Sequence, residues 1–599
     1  MDKKMQKNAR MMTIKRSKEE NIATVLRLFE YLKGHRTALF GAICLTFLSN
    51  YFNLLAPKLI ENAVALIDVT PSEIDLKAVY RFAWVMLLFY VLSYFLSMLL
   101  SYIMMKFGEN IGHSLRRATF QKFHKLPVQY FDTHQTGDVI SRFTYDVDMV
   151  SSSLGQNYVS FSTSIITLIG SFYMMAITNL TLMSSFFITV PVSLLFGIYW
   201  TKKVRKYHRT KAEEMGNLNG YIEDKITGHK TVKIYGQEKN VVAKLCEKNW
   251  IWGKAFYNSE FLGGAVLRNT LTLVTTATTA LLYVHSCLLL LQQQITLAEI
   301  SGFILYAKMF TGIVNEITTI MADIQASLAA ADRVFEFIDE TEEIPDREGA
   351  RVLENPQGNV SLESVTFHYE AHRTILKDVT IEGKENQVIA IVGHTGAGKT
   401  TLIQLLMRFY DPVSGAIAFD GHDILDITRK SLRSSYAMVL QDAWLFGGTI
   451  FENIVYGQSE ATMEDVLTVS KAIGLHPHIE RLPKAYDTMI SENTVNISQG
   501  QKQLITIARA MLLDAKVLIL DEATSNVDTL TEVAIQNSVK TLMKGKTSFV
   551  IAHRLSTVRN ADCIVLLDQG EIIESGTHET LLSLDGQYAK LYNAQFEVV

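Results

Sequence analysis

At 599 residues the chain is too long for one core, and a formal net charge of −4 gives no basis for nucleic-acid binding. Hydrophobic residues make up 48%, and their clustering excludes an ordinary soluble fold: from Ser151 to Thr201 there is no Asp, Glu, Lys or Arg, room for two bilayer spans of about 20 residues. Cys44, Cys246, Cys287 and Cys563 lack metal or redox spacing, which argues against a zinc site or a disulfide framework.

Residues 1–20 form a basic tail (Lys3, Lys4, Lys7, Arg10, Lys15, Arg16) with no apolar run before Leu39, so they do not read as a signal peptide. From Ile22 onward, Val25, Leu26, Phe29 and Leu32 share one helical face opposite Arg27, Glu30 and Lys33. That spacing predicts an interfacial helix, with a packed amphipathic helix as the alternative. Six apolar segments follow: Leu39–Pro57, Ala83–Met105, Val159–Thr178, Leu180–Trp200, Leu271–Leu291 and Ile300–Ala322. The third and fourth meet at Asn179, which predicts a very short turn.

Basic residues set the expected orientation. The loop after the first span is acidic (Glu61, Asp68, Glu73, Asp75), whereas 106–150 and 202–254 are rich in Lys and Arg. Those two segments, and both termini, are therefore expected on the cytoplasmic side of a cell membrane. The spans should continue into them as helical hairpins reaching some 30 Å below the bilayer. Their tips, Tyr130–Gly137 and Lys225–Tyr235, are expected to dock on something cytoplasmic. Lys308 and Glu316 in the sixth span, with Arg268 entering the fifth, are charges at membrane depth. Such charges face a cavity or one another, so Lys308 and Glu316 are candidates for lining a substrate route, an intramembrane pair being the alternative.

Beyond an acidic connector, Glu340–Asp346, short β-rich runs alternate with helices. The apolar run Val388–Val392 leads into Gly393-His394-Thr395-Gly396-Ala397-Gly398-Lys399-Thr400, a complete phosphate-binding loop. Its glycines let successive N–H groups cradle phosphates, Lys399 neutralises β and γ oxygens, and Thr400 offers a hydroxyl to Mg2+. Val517-Leu518-Ile519-Leu520-Asp521-Glu522 supplies the matching strand that ends in acid. Asp521 would hold the magnesium, and Glu522 would polarise the attacking water. Between them, Ser498 caps a helix whose exposed N–H groups form a second anion site.

Taken in order, these motifs resemble the ATP-binding cassette family, and within it the exporters with six helices fused ahead of the cassette. The resemblance implies an α-helical six-span domain (21–338), a linker (339–357) and an α/β phosphate-loop ATPase domain (358–599). It adds Tyr369 as the adenine-stacking aromatic, Thr401 as a further nucleotide contact and Gln441 as the magnesium-sensing loop glutamine. Ser498, Gln499, Gly500 and Gln501 match the signature motif, Ser525-Asn526-Val527-Asp528 the segment crossing the dimer, and His553 the switch histidine. Pro127, Phe131, Asp132, Gly137 and Asp146, together with Ala330–Val334, also resemble this exporter group.

Such a chain is half of a machine, because each signature closes over ATP held by the other cassette. A second half-transporter is implied, with ATP and Mg2+ as cofactors and amphipathic drugs, lipids or peptides as cargo; an ATP-gated or regulatory subunit is the alternative. Ile497 and Gln499 depart from the commonest signature, and Ser525-Asn526-Val527-Asp528 from the commonest crossing segment. Both departures resemble the catalytically intact subunit of bacterial heterodimeric exporters, which favours a heterodimer over a homodimer.

Overall fold

The computed structural model describes residues 18–32, 36–66, 76–370, 372–490, 497–521, 529–552 and 558–596. They form two compact units: Met1–Lys125 with Gln135–Thr341, and Leu126–His134 with Glu342–Val599.

The first unit is helical. Helix α1 (Lys18–Leu32) exists as expected, but its packed line is Thr24, Leu28 and Tyr31, while Leu26 is 60% exposed. The cause is the last helix of the unit, α10 (Leu297–Asp339). Thr24 bonds to Asp332, Arg27 pairs with Asp339 and lies 4.4 Å over the Phe335 ring, and Tyr31 stacks on the same ring. Polar anchors on α10, invisible to local periodicity, hold this line, and Leu26 of the expected interfacial face is left exposed.

Helix α2 runs from Arg36 to Ala65, past the expected stop at Pro57. Proline lacks an N–H, so the Asn53 carbonyl loses its usual intrahelical donor; one residue on, the Tyr306 hydroxyl donates to the Leu54 carbonyl at 2.8 Å and fastens this turn to α10. Glu61 therefore lies within a helix and is buried, not in an acidic outer loop as the sequence suggested.

Helix α3 (Leu76–Phe123) and the run α5 (Thr136–Thr178) carry their spans far beyond the apolar segments, as predicted, with the short α4 (Val128–Thr133) between them. Helices α3 and α5 cross closely: a Cβ on Gly108 would lie 2.5 Å from the Ser151 carbonyl, and the Ser151 hydroxyl donates to Gly108 O at 2.8 Å. Small residues admit this backbone contact. Two π-helical turns, Arg142–Asp146 and Ser153–Asn157, interrupt α5. At the first, the buried Asp146 receives the Arg333 guanidinium of α10, Nε at 2.9 Å. Two motif residues quoted for the resemblance are thus one ion pair.

Asn179 separates α5 from α6 (Leu180–Thr227), and its side-chain oxygen caps α6 by accepting from Thr181 and Leu182 N–H. Next come α7 (His229–Ile234), α8 (Glu238–Ser259) and α9 (Leu267–Leu291). Among the described residues, four helical stretches are long and apolar enough to cross a membrane: Arg36–Ala65, Leu76–Phe123, Thr136–Thr178 and Thr272–Leu291. On α10, Lys308 and Glu316 are both exposed and about 12 Å of helical rise apart, so they are not partners of one another.

The second unit is α/β. An antiparallel sheet joins β1 (Val360–Glu370), β2 (Arg373–Gly383), β4 (Ser414–Phe419) and β5 (His422–Asp423) in the order β2-β1-β4-β5. A six-stranded sheet holds β3 (Val388–Val392), β6 (Tyr436–Val439), β9 (Val517–Asp521), β10 (Thr547–Ile551), β11 (Cys563–Asp568) and β12 (Glu571–Gly576) in the order β12-β11-β3-β10-β9-β6. The pair β7 (Gly448–Thr449) and β8 (Met489–Ile490) completes the strands. Parallel strands covered on both faces should read as unbroken apolar runs; β3 and β9 do up to Asp521, β10 opens on the buried Thr547 and Ser548, and Ile389, Leu518 and Phe549 are fully buried. The connector is fastened to this unit through its acids: Glu343 pairs with Arg433, and Asp346 with Arg429 at 3.0 Å.

Candidate active site

The site is set by strand register. Ile551 at the end of β10 aligns with Ile391 of β3 on one side and with Asp521 of β9 on the other, all three strands parallel. Three carboxyl ends thus finish on one edge of the sheet, where ligands of such folds bind. The loop after β3 is the phosphate-binding candidate, β9 delivers Asp521, and β10 leads toward His553.

Helix α11 (Lys399–Leu406) opens on the loop 393–398. Gly396 and Gly398 have φ of +86° and +107°, a left-handed backbone that favours glycine. A Cβ on Gly398 would also come 2.8 Å from Leu376 Cδ2, and one on Gly393 2.1 Å from the Leu567 carbonyl. Sequence and packing therefore demand glycine for separate reasons, and the loop's N–H groups and the α11 N-terminus converge on an anion-binding concavity. Lys399 is buried, its ammonium donating to the Gly393 and His394 carbonyls at 2.6 and 3.0 Å. Burial pushes this ammonium below its ordinary pKa, and the Asp521 carboxylate pulls it back up. A cation held in this way, between a phosphate nest and an acid, fits a magnesium–nucleotide complex. His394, Thr395 and Thr400 are exposed along the loop, while Ala397 and Thr401 are buried beneath it.

Tyr369 lies at the end of β1, 39% exposed. Its hydroxyl meets Thr401 Oγ1 at 3.1 Å and donates to Gln404 of α11. The ring also meets Tyr410 edge-on at 5.1 Å between centroids. An exposed aromatic tethered to the phosphate-loop helix is placed to stack on a base. Gln441 is exposed just after β6.

Helix α12 (Gln499–Leu512) begins at Ser498, as predicted. Ser498 and Gln501 cap each other reciprocally, Ser498 Oγ accepting from Gln501 N at 3.2 Å and Ser498 N donating to Gln501 Oε1 at 3.1 Å. Gln499 is exposed and Gly500 is buried. Glu522, Ser525, Asn526, Val527, Asp528 and His553 lie outside the described residues.

Two positioning residues escaped the sequence reading. Arg509 of α12 donates to Asn453 O at 2.8 Å and to Trp444 O at 3.3 Å, and lies over the Tyr456 ring. It ties the signature helix to the segment that follows Gln441. Tyr410, just after α11, donates to Asp132 at 2.6 Å, so the first hairpin tip is fixed beside Tyr369. The Arg408-Phe409-Tyr410-Asp411-Pro412 run was a possible signal, but nothing local names its partner.

Comparison with known proteins agrees with this geometry. Residues 39–314 match the ABC transporter transmembrane region, and 376–525 match the ABC transporter ATPase family. An uncharacterized ABC transporter ATP-binding protein of Bacillus subtilis is 37% identical over 97% of this chain and 96% of its own. A fatty acid ABC transporter ATP-binding/permease protein of Mycobacterium bovis is 39% identical over 80% of this chain and 76% of its own. An ATP-dependent lipid A-core flippase of Chromohalobacter salexigens is 35% identical over 83% and 86%. The solved structure of a bacterial Atm1-family ABC exporter with ATP bound superposes with a TM-score of 0.76 at 27% identity, covering 94% of this chain and 98% of that one.

Proposed function

Because this chain belongs to the ATP-binding cassette transporter family, as an exporter half-transporter whose ATP hydrolysis drives transport, we propose that it moves an amphipathic compound of the lipid class out of the cell. The observation that carries the ATP-driven part is the register that brings the phosphate loop, Asp521 and the strand before His553 to one edge. The lipid class rests on relatives named for fatty acid transport and lipid A-core flipping.

In the proposed site Lys399 and the loop amides hold the phosphates and Tyr369 holds the base. Thr400, Asp521 and Gln441 hold Mg2+; Glu522 polarises the water and His553 orients it. Ser498, Gln499, Gly500 and Gln501 close over ATP held by a second chain, and Ser525–Asp528 crosses between the cassettes. Charge-assisted bonds from both faces make the nucleotide the glue of that dimer. The partner is a second half-transporter, a different one on the reading of Ile497, Gln499 and Asn526. Residues 21–338 span the cell membrane with both termini cytoplasmic, and 358–599 form the cassette. Lys308 and Glu316, exposed on α10, line the route.

The test is ATP turnover in lipid nanodiscs across fatty acids, lipid A precursors, peptides and cationic dyes, with Glu522→Gln as the inactive control. Stimulation confined to peptides or dyes would overturn the lipid assignment. Purification through one tagged chain decides the pairing, since a fully active complex of this polypeptide alone would overturn the heterodimer.

A further inference from the structure

Glu61 is 7% exposed on α2, one turn past Pro57: one carboxylate oxygen pairs with Lys58, three residues earlier, and Oε2 is buried with no hydrogen-bond partner among the described residues. Against it lies Gly302 of α10. A Cβ at 302 would come 2.7 Å from that orphaned oxygen and 3.1 Å from the Glu61 Cβ. One turn along α10, Tyr306 is fully buried and bonds the Leu54 carbonyl of α2. Two turns earlier on α2, a Cβ on Gly170 of α5 would strike the Leu54 side chain at 2.3 Å. The helices α2, α5 and α10 are therefore in close contact beside the turn at Asn179, where Met175, Leu182, Ile300 and Phe303 form a hydrophobic cluster.

A buried acceptor without a partner destabilises the arrangement that hides it, more so when it is ionised. The same oxygen regains its solvation once α2 and α10 part. A contact of close van der Waals fit that hides an unsatisfied acceptor is stable enough to seal and poised to release.

We propose that the α2–α10 crossing at Glu61 and Gly302 is the outer seal of the transport route, and that Glu61 is the positioning residue that makes the seal open readily. This rests on the exporter reading and its orientation, which put the Asn179 turn and the start of α10 at the outer face.

The test uses the full chain with its co-purifying partner, Cys44, Cys246, Cys287 and Cys563 replaced by Ser. Into it go Glu61→Cys and Gly302→Cys, whose Cβ atoms need to separate by only a few tenths of an ångström to reach disulfide spacing. Oxidation is expected to cross-link the pair and lower ATP turnover at least tenfold, with ATP binding unchanged and dithiothreitol restoring the rate. No cross-link, or a linked protein turning over at the reduced rate, overturns the seal. A cysteine-free parent without turnover would instead fail the exporter reading itself. In the second variant, Glu61→Met removes the orphaned oxygen at similar volume. It should raise thermal stability while slowing turnover about fivefold, near the lower end of what one unsatisfied buried acceptor is worth. Turnover unchanged in Glu61→Met overturns the role assigned to the carboxylate.

Discussion

The two hairpin tips of this chain, Tyr130–Gly137 and Lys225–Tyr235, look alike in sequence and differ in what covers them. In the first, Tyr130 is 5% exposed and stacks on His134, Leu126 is buried, and Asp132 takes the Tyr410 hydroxyl. The segment Leu126–His134 groups with the nucleotide unit of its own chain. In the second, α7 has no buried residue, and Ile226, Ile234 and Tyr235 are 70%, 79% and 72% exposed. Apolar side chains at the tip of a long hairpin, rimmed by Lys225, Lys230 and Lys233, mark a contact surface. The lesson is that one chain satisfies one of its two tips. The second tip, exposed in its own unit, is the surface proposed to meet the second half-transporter.

The largest effect should come from freezing the machine. Glu522→Gln is expected to lower hydrolysis about a hundredfold or more, leaving ATP binding intact and the paired cassettes closed. Amide exchange on that trapped complex sharpens the contrast: residues 226–235 should gain protection on pairing, while 126–134 should be equally protected with and without the partner. Equal behaviour of the two tips would break the comparison.

Truncating each tip separates stability from assembly. Tyr130→Ala removes a buried ring and should cost about 3 kcal/mol, lowering the thermal midpoint of the single chain by about 5–10 °C. Ile234→Asp should leave that midpoint within about 1 °C, since the residue touches little in its own chain. In the assembled transporter the same change places a charge where a partner must be desolvated, and turnover should fall about tenfold. A loss of single-chain stability in Ile234→Asp would show that the tip is already docked.

Much of this was legible before any coordinates. The loop Gly393–Thr400, the strand Val517–Asp521 and the cap at Ser498 each announce themselves because their chemistry is local: glycine conformations, an apolar run ending in acid, a side chain reaching three residues on. The long helical extensions beyond the apolar segments followed from basic segments of helical composition. What was not legible depends on distant partners. Glu61 reads as a loop acid because Pro57 reads as the end of the span, and the Tyr306 hydroxyl that fastens this turn comes from 252 residues away. The line along which α1 packs is set by Asp332, Phe335 and Asp339, which its own periodicity does not name. Tyr410 carried no signal for a similar reason, its acceptor lying 278 residues earlier.

That bond supplies the smallest effect and the most direct probe of the satisfied tip. Burial, then the Asp132 carboxylate accepting its hydrogen bond, push the Tyr410 hydroxyl above its ordinary pKa, so it is a donor at every physiological pH. Tyr410→Phe keeps the ring against Phe367 and Tyr369 and deletes only the donor. Asp132 is exposed and regains water when the bond is lost, so the cost in stability should be about 1 kcal/mol, at the low end for a bond to a charged group. Asp132→Asn should cost no more, and the double variant should match the larger single one, giving a coupling of about 1 kcal/mol in a thermal-denaturation cycle. Because Tyr410 also contacts the aromatic proposed for adenine, the same pair should shift the ATP concentration for half-maximal turnover by less than about threefold. Strictly additive costs would mean that the first tip is held by Leu126 and Tyr130 alone, and that its hydrogen bond to the nucleotide unit carries no load.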